Sequence, residues 1–139
     1  DVESSNLVGC ELNHEIAKLM IDEYPILSIA AAFAEGPSLF RGLAELKVKE
    51  SDRLELIRLN LTKCGCECEV INNDLLIKPS KNYLPIDNKI RTDFDHRIAM
   101  SFVIMGSKVG NLLIEDIESI NTSFPNFIEI YNNSGGSFL

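Results

Sequence analysis

No run of apolar residues in this chain is long enough to cross a bilayer. The longest, 26–34, is interrupted by Ser28 and falls far short of the roughly 20 residues a membrane helix needs. The first residues, Asp1-Val2-Glu3-Ser4-Ser5, lack the basic stretch followed by an apolar one that marks a secretory signal. A cytoplasmic protein with no membrane partner is therefore expected. Cations are also scarce, with 13 Lys+Arg against 21 Asp+Glu and a net charge of −8. Binding to nucleic acid without regard to sequence rests on clustered cations that neutralise phosphates, so no nucleic-acid partner is expected. Any anion must be held by a local group of charges.

The cysteines lack the spacing of a metal site. Cys10, Cys64, Cys66 and Cys68 include no pair separated by two residues, and neither His14 nor His96 stands at ligand spacing, so no metal is expected. Cys64, Cys66 and Cys68 alternate along the start of a predicted strand, which points them to one face as reduced, partly buried thiols. Asn60-Leu61-Thr62 and Asn121-Thr122-Ser123 match the glycosylation pattern, but they carry no weight without an export signal.

What the chain does have is a core and a repeat. With 139 residues and 45% hydrophobic content it can bury an ordinary core, alone or as part of a larger unit. A helix is expected over 22–34, apolar on nearly every face and therefore buried all round, with Pro25 in its first turn and Gly36-Pro37 as its stop. A strand over 38–48 follows, then an amphipathic helix over 51–64 that places Leu54, Ile57 and Leu61 on one side and stops at Gly65. Residues 66–71 and 75–78 form a hairpin about Asn72-Asn73-Asp74, and a polar, Pro-containing connection runs through Asn88. Asp95 opens a second apolar helix that ends near Gly110. A strand over 111–117 and a helix from Ser123 to Gly135-Gly136 complete the pattern.

The landmarks recur 71 to 74 positions apart: Asp22 and Asp95, Gly36 and Gly110, Ser51 and Ser123, Gly65 and Gly136. Two copies of one supersecondary unit, 22–94 and 95–139, are read from this. One helix of each copy is too apolar for a surface, so the fold class is α/β with helices inside and sheets outside. The last residues, Gly136-Ser137-Phe138-Leu139, read as the start of another strand and the first as mid-loop. A portion of a longer polypeptide is expected.

The charged residues sit at predicted helix starts. Lys49, Arg53 and Arg97 lie at the positive ends of helices, each disfavoured by roughly 0.3–1 kcal/mol unless an anion joins them. Lys49 and Arg53 stand four apart and Glu50 and Arg53 three apart, so all share one side. Such a group can hold an anionic ligand while Lys49 and Glu50 exchange protons with it, or it can be a solvated helix start with local ion pairs. Asp22 and Asp95 can each cap a helix, or serve as a carboxylate kept ionised by the helix dipole and usable as a general base. His14, Glu11, Glu15 and Glu35 have no partner by spacing.

Taken together, Met20-Ile21-Asp22-Glu23-Tyr24-Pro25-Ile26-Leu27, Leu46-Lys47-Val48-Lys49-Glu50-Ser51-Asp52-Arg53-Leu54, Asp95-His96-Arg97-Ile98-Ala99-Met100-Ser101 and Thr122-Ser123-Phe124-Pro125 closely resemble the C-terminal third of the 5-enolpyruvylshikimate-3-phosphate (EPSP) synthase family. The resemblance covers residues 20–130 and is closest to bacterial members poorly inhibited by glyphosate. It implies two domains, each of three β-α-β-α-β-β units with parallel helices buried inside, in an inside-out α/β barrel of which this chain is part. It implies transfer of the enolpyruvyl group of phosphoenolpyruvate to the 5-hydroxyl of shikimate 3-phosphate with release of phosphate, a step of aromatic amino acid biosynthesis, by an enzyme that is a monomer at full length.

By the same resemblance, Asp22 binds and deprotonates the 5-hydroxyl, and Lys49 contacts shikimate 3-phosphate and moves protons. Glu50 gives a proton to the methylene carbon and takes it back. Arg53 and Arg97 clamp phosphoenolpyruvate, and His96 is a neighbouring polar group. No metal or organic cofactor is implied. Where some relatives carry a lysine before the Phe-Pro pair, this chain has Thr122 and Ser123. The remaining substrate contacts of the family lie in an N-terminal half that this sequence does not contain, so the chain alone is expected to be inactive. Two other readings remain: a transferase acting on a UDP-sugar, whose branch does not resemble the Lys-Glu-Ser-Asp-Arg stretch, and a non-catalytic anion-binding module.

Overall fold

Asn13 starts the first helix by accepting from the backbone N–H groups of Glu15 and Ile16, two donors a helix N-terminus otherwise leaves orphaned. The computed structural model describes residues 3–80, 82–83 and 89–139. The Pro-containing connection through Asn88 falls largely outside them, as do the first two residues. In chain order the elements are β1 (Glu11–Leu12), α1 (His14–Leu19), a 3-10 turn (Ile21–Glu23), α2 (Tyr24–Ala32), β2 (Ser38–Phe40), a second 3-10 turn (Ala44–Val48), α3 (Arg53–Lys63), β3 (Glu67–Ile71), β4 (Asp74–Lys78), β5 (Lys89–Ile90), α4 (His96–Val109), β6 (Leu113–Ile114), a third 3-10 turn (Ile117–Thr122) and α5 (Phe127–Asn133).

The strands form a four-stranded sheet in the order β1-β2-β4-β3 and a parallel pair β5-β6. β1 runs parallel to β2, while β4 is antiparallel to both β2 and β3. α3 packs on β3, α2 on β4, and α2 against α4. The core therefore lies between the apolar helices and the inner face of the sheet, with Tyr24, Ile29, Phe40, Ile57, Leu61, Ile77, Ile98 and Phe102 all buried. The fold is α/β with its apolar helices inside, as the sequence pattern implies. α2 is buried on most faces, but Ile26 is 40% exposed.

Four boundaries differ from the sequence reading, each for a local reason. The α1 helix was not anticipated, although Asn13 is a good cap. The strand expected over 38–48 stops at Phe40, because Gly42 takes a left-handed φ of 73° and the chain then winds into a 3-10 turn that buries Leu46. Its successor over 111–117 shrinks to Leu113–Ile114, bracketed by Asn111 and Asp116 at φ 48° and 47°. The last helix begins at Phe127 rather than Ser123. Pro125 disfavours helical backbone at Phe124, so the chain makes a 3-10 turn first.

Cys64, Cys66 and Cys68 are fully rather than partly buried, and Cys10 is exposed. Burial pushes the Cys64 thiol up to about 12, Cys66 to about 11 and Cys68 to about 12. Because the thiolate is the reactive form, a native-state assay with an aromatic disulfide reagent is expected to titrate Cys10 at once and the other three only after denaturation. Rapid reaction of all four thiols in the folded chain would contradict the buried face.

Candidate active site

Three helix starts converge on one guanidinium. Arg53 is the first residue of α3 and is 0% exposed. Its Nε donates to Asp95 Oδ2 at 2.7 Å, Nη1 to Asp22 Oδ1 at 2.8 Å and Nη2 to Glu50 Oε2 at 2.5 Å. Each acceptor comes from a different segment: Asp22 from the turn before α2, Glu50 from the loop before α3, and Asp95 from the N-cap of α4. A planar guanidinium spreads its donors over three nitrogens in a fixed fork, whereas a lysine gathers its three rotatable donors on one atom.

The neighbouring cations complete the cluster. Lys49 Nζ lies 3.7 Å from Asp22 Oδ1. Arg97 Nη2 lies 3.7 Å from Asp22 Oδ2, its Nη1 donates to the Asp22 carbonyl at 3.2 Å, and the same Nη1 is 3.8 Å from Glu23 Oε2. The bare positive charge expected at these helix starts is thus answered from within the chain by carboxylates of other segments. Arg53 in particular is enclosed rather than presented to solvent. Around it the groups stay accessible: side-chain exposure is 40% for Asp22, 54% for Glu50, 29% for Lys49 and 35% for Arg97.

These surroundings act on protonation. Partial burial works against the Asp22 carboxylate, but the hydrogen bond from Arg53 and the charges of Arg97 and Lys49 outweigh it and hold its pKa below the usual carboxylate value. Burial likewise opposes the charge on Arg53, yet the bond to Asp95 and the charges of Asp95 and Glu50 raise its pKa further. Asp22 is therefore an ionised, partly exposed carboxylate, the form a general base requires.

Of the residues singled out from sequence, Asp22, Lys49, Glu50, Arg53 and Arg97 are brought together. His96 is half-buried in the first turn of α4. Thr122 and Ser123 are exposed at the end of a 3-10 turn, where the Thr122 hydroxyl donates to the Ser119 carbonyl at 2.7 Å. The adjoining Phe124 and Phe127 line a cleft of about 260 Å³ with Asp22, Arg97, Met100 and Ile104. The aromatic pair, not the hydroxyls, borders the charged cluster there.

Sequence reasoning missed the supports. Asp95 is a cap, its Oδ1 accepting from Arg97 N at 2.9 Å and Ile98 N at 3.3 Å, but its Oδ2 also takes the Ser51 hydroxyl at 2.9 Å beside Arg53. Asn60, buried in α3, donates from its side-chain amide to the Arg91 carbonyl at 2.7 Å and accepts from Arg91 N at 3.1 Å. The hydroxyl of Thr92 donates to the Glu115 carbonyl at 3.0 Å. These bonds fix the approach to Asp95, and a buried Asn60 is no glycosylation acceptor. Only the cap was legible in advance, from Asp before an apolar run.

Apolar helices inside, sheets outside and charged groups gathered where helices begin define an inside-out α/β fold with a polar centre at one end of its helices. The family model of EPSP synthase (3-phosphoshikimate 1-carboxyvinyltransferase) matches residues 1–131, and the chain belongs to that family. The 3-phosphoshikimate 1-carboxyvinyltransferase of Paramagnetospirillum magneticum is 47% identical over 135 residues, covering 96% of this chain and 30% of that protein. The Gluconobacter oxydans protein of the same name is 44% identical over 135 residues, with the same coverage. A solved EPSP synthase from Acinetobacter baumannii superposes with a TM-score of 0.81 at 36% identity, over 92% of this chain and 30% of that one. The chain thus spans about 30% of the length of the relatives it matches.

Proposed function

We propose that this chain is the C-terminal portion of an EPSP synthase, transferring the enolpyruvyl group of phosphoenolpyruvate to the 5-hydroxyl of shikimate 3-phosphate, in the cytoplasm. The reading rests above all on one arrangement: Asp22 and Glu50, carboxylates of different segments, are held on adjacent nitrogens of Arg53 with Lys49 and Arg97 alongside. Phosphoenolpyruvate becomes electrophilic at C2 only as C3 gains a proton, so an acid and a base must flank two anionic substrates.

Asp22 takes the proton of the 5-hydroxyl as its oxygen bonds to C2, and Glu50 protonates C3. The C2–phosphate bond then breaks, Glu50 takes a proton back from C3, and phosphate leaves with the proton Asp22 had accepted. Lys49 contacts shikimate 3-phosphate and relays protons. Arg53 and Arg97 neutralise phosphoenolpyruvate, with His96 nearby, and binding draws Glu50 and Asp22 off the guanidinium so that they are free to react. The scheme calls on no metal or organic cofactor. Residues 22–94 and 95–139 are two copies of the repeated unit, the first placing two charged helix starts in this centre and the second one.

The test is phosphate release. The complete polypeptide given both substrates is expected to release one phosphate per EPSP formed, and the 139-residue chain alone none. Failure of the complete polypeptide would overturn the reaction assigned, and release by the chain alone above a protein-free blank would overturn the division of labour.

A further inference from the structure

Asp95 has one carboxylate and two tasks. Oδ1 accepts two backbone N–H groups at the start of α4, those of Arg97 at 2.9 Å and Ile98 at 3.3 Å. Oδ2 accepts Arg53 Nε at 2.7 Å and the Ser51 hydroxyl at 2.9 Å. The residue is 0% exposed, whereas the other two carboxylates on Arg53 are open to solvent, Asp22 at 40% and Glu50 at 54%. A capping role uses only Oδ1 and leaves the second oxygen unexplained.

The three acceptors also differ in direction. Asp22 and Glu50 occupy the Nη1 and Nη2 side, the outward fork that a phosphate or carboxylate would engage bidentately. Asp95 occupies Nε and is itself fully buried, whereas the acceptors on the other two nitrogens reach solvent. An incoming anion can replace Glu50 or Asp22 without disturbing Asp95. Because the same carboxylate anchors the backbone of Arg97, it ties the position of one arginine to that of the other.

We infer that Asp95, braced by the Ser51 hydroxyl, is a positioning residue for anion binding: it orients the Arg53 fork and sets its register against Arg97 while touching no substrate itself. This deepens the enolpyruvyl-transfer reading and depends on it only for the identity of the anion.

The experiment uses the complete polypeptide. Asp95→Ser and Asp95→Asn keep a good N-cap residue but withdraw the carboxylate from Nε. The KM for phosphoenolpyruvate is expected to rise about 10–100-fold, since a misplacement of about 1 Å can cost about 100-fold, while the KM for shikimate 3-phosphate stays within error. The Arg53 Nε–H resonance, assigned by its loss in Arg53→Lys and protected from solvent exchange in the parent, is expected to lose that protection. Ser51→Ala, which leaves both cap and ion pair in place, should shift the same two readouts less, and Ser51→Thr should restore them. If the Asp95 variants do not fold, the serine pair decides. Should the parent make no EPSP, the function assigned above fails, and the affinity of inorganic phosphate together with the Nε–H signal still reports on positioning. Unchanged phosphoenolpyruvate KM, or phosphate affinity, with an unchanged Nε–H signal would reduce Asp95 to a helix cap and overturn the inference.

Discussion

Arg53→Ala is expected to lower the stability of the folded chain by about 3–5 kcal/mol, the usual consequence of removing one partner from a buried ion pair. Against a total of about 5–15 kcal/mol for a domain, that is about a fifth or more. The loss comes mainly from what is left behind: Asp95 is 0% exposed and would keep only the Ser51 hydroxyl and two backbone N–H groups for a full negative charge. Asp22 and Glu50 reach water and lose less. Urea unfolding should show the drop as a lower midpoint, and Arg53→Met combined with Asp95→Ser should recover part of it, since that pair removes the charge and keeps a capping side chain. A single-mutant loss below about 1 kcal/mol, the range of exposed pairs, would show that the cage is solvated.

In the complete enzyme, Asp22→Asn and Glu50→Gln are expected to reduce kcat by about 10²–10⁴-fold each, the range for positioned acid–base groups, with much smaller changes in KM. Neither substitution alters shape, and both leave Arg53 with hydrogen-bond acceptors, so folding should survive. Proton transfer occurs only on the way to the transition state, which is why the loss should fall on turnover rather than affinity. Steady-state kinetics against both substrates decides it: near-parental kcat with a raised KM in either variant would reassign that residue from proton transfer to binding.

Much of the fold was legible because its signals are local. The apolar faces of α2 and α4, the stop at Gly65 and the turn at Asn72-Asn73 follow from side-chain spacing and from residues that tolerate left-handed backbone. The overlong strand reading at 38–48 arose where apolar residues pack from a 3-10 turn as well as they would from a strand, as Leu43 and Leu46 do. Within the site, the grouping of Lys49, Glu50 and Arg53 was visible from their nearness in sequence, although α3 starts only at Arg53 and Lys49 has extended backbone, so helical stacking is not what joins them. What could not be read was the enclosure of Arg53, since its bonds to Asp22 and Asp95 span 31 and 42 residues and no periodicity encodes them. For the same reason the charge on Arg53 looked unanswered in the sequence and is answered in the fold.

Those same separations bear on how long the molecule lasts once folded. Closing loops of this length costs entropy that a single ion pair does not recover, so the guanidinium can meet Asp22 and Asp95 only after α2, α3 and α4 have docked through their apolar faces. The cage is thus among the last contacts to form and the first to rupture. Interactions absent from the folding transition state act on the escape rate, so the two distant carboxylates lengthen the lifetime of the native state and leave the speed of its formation to the helices.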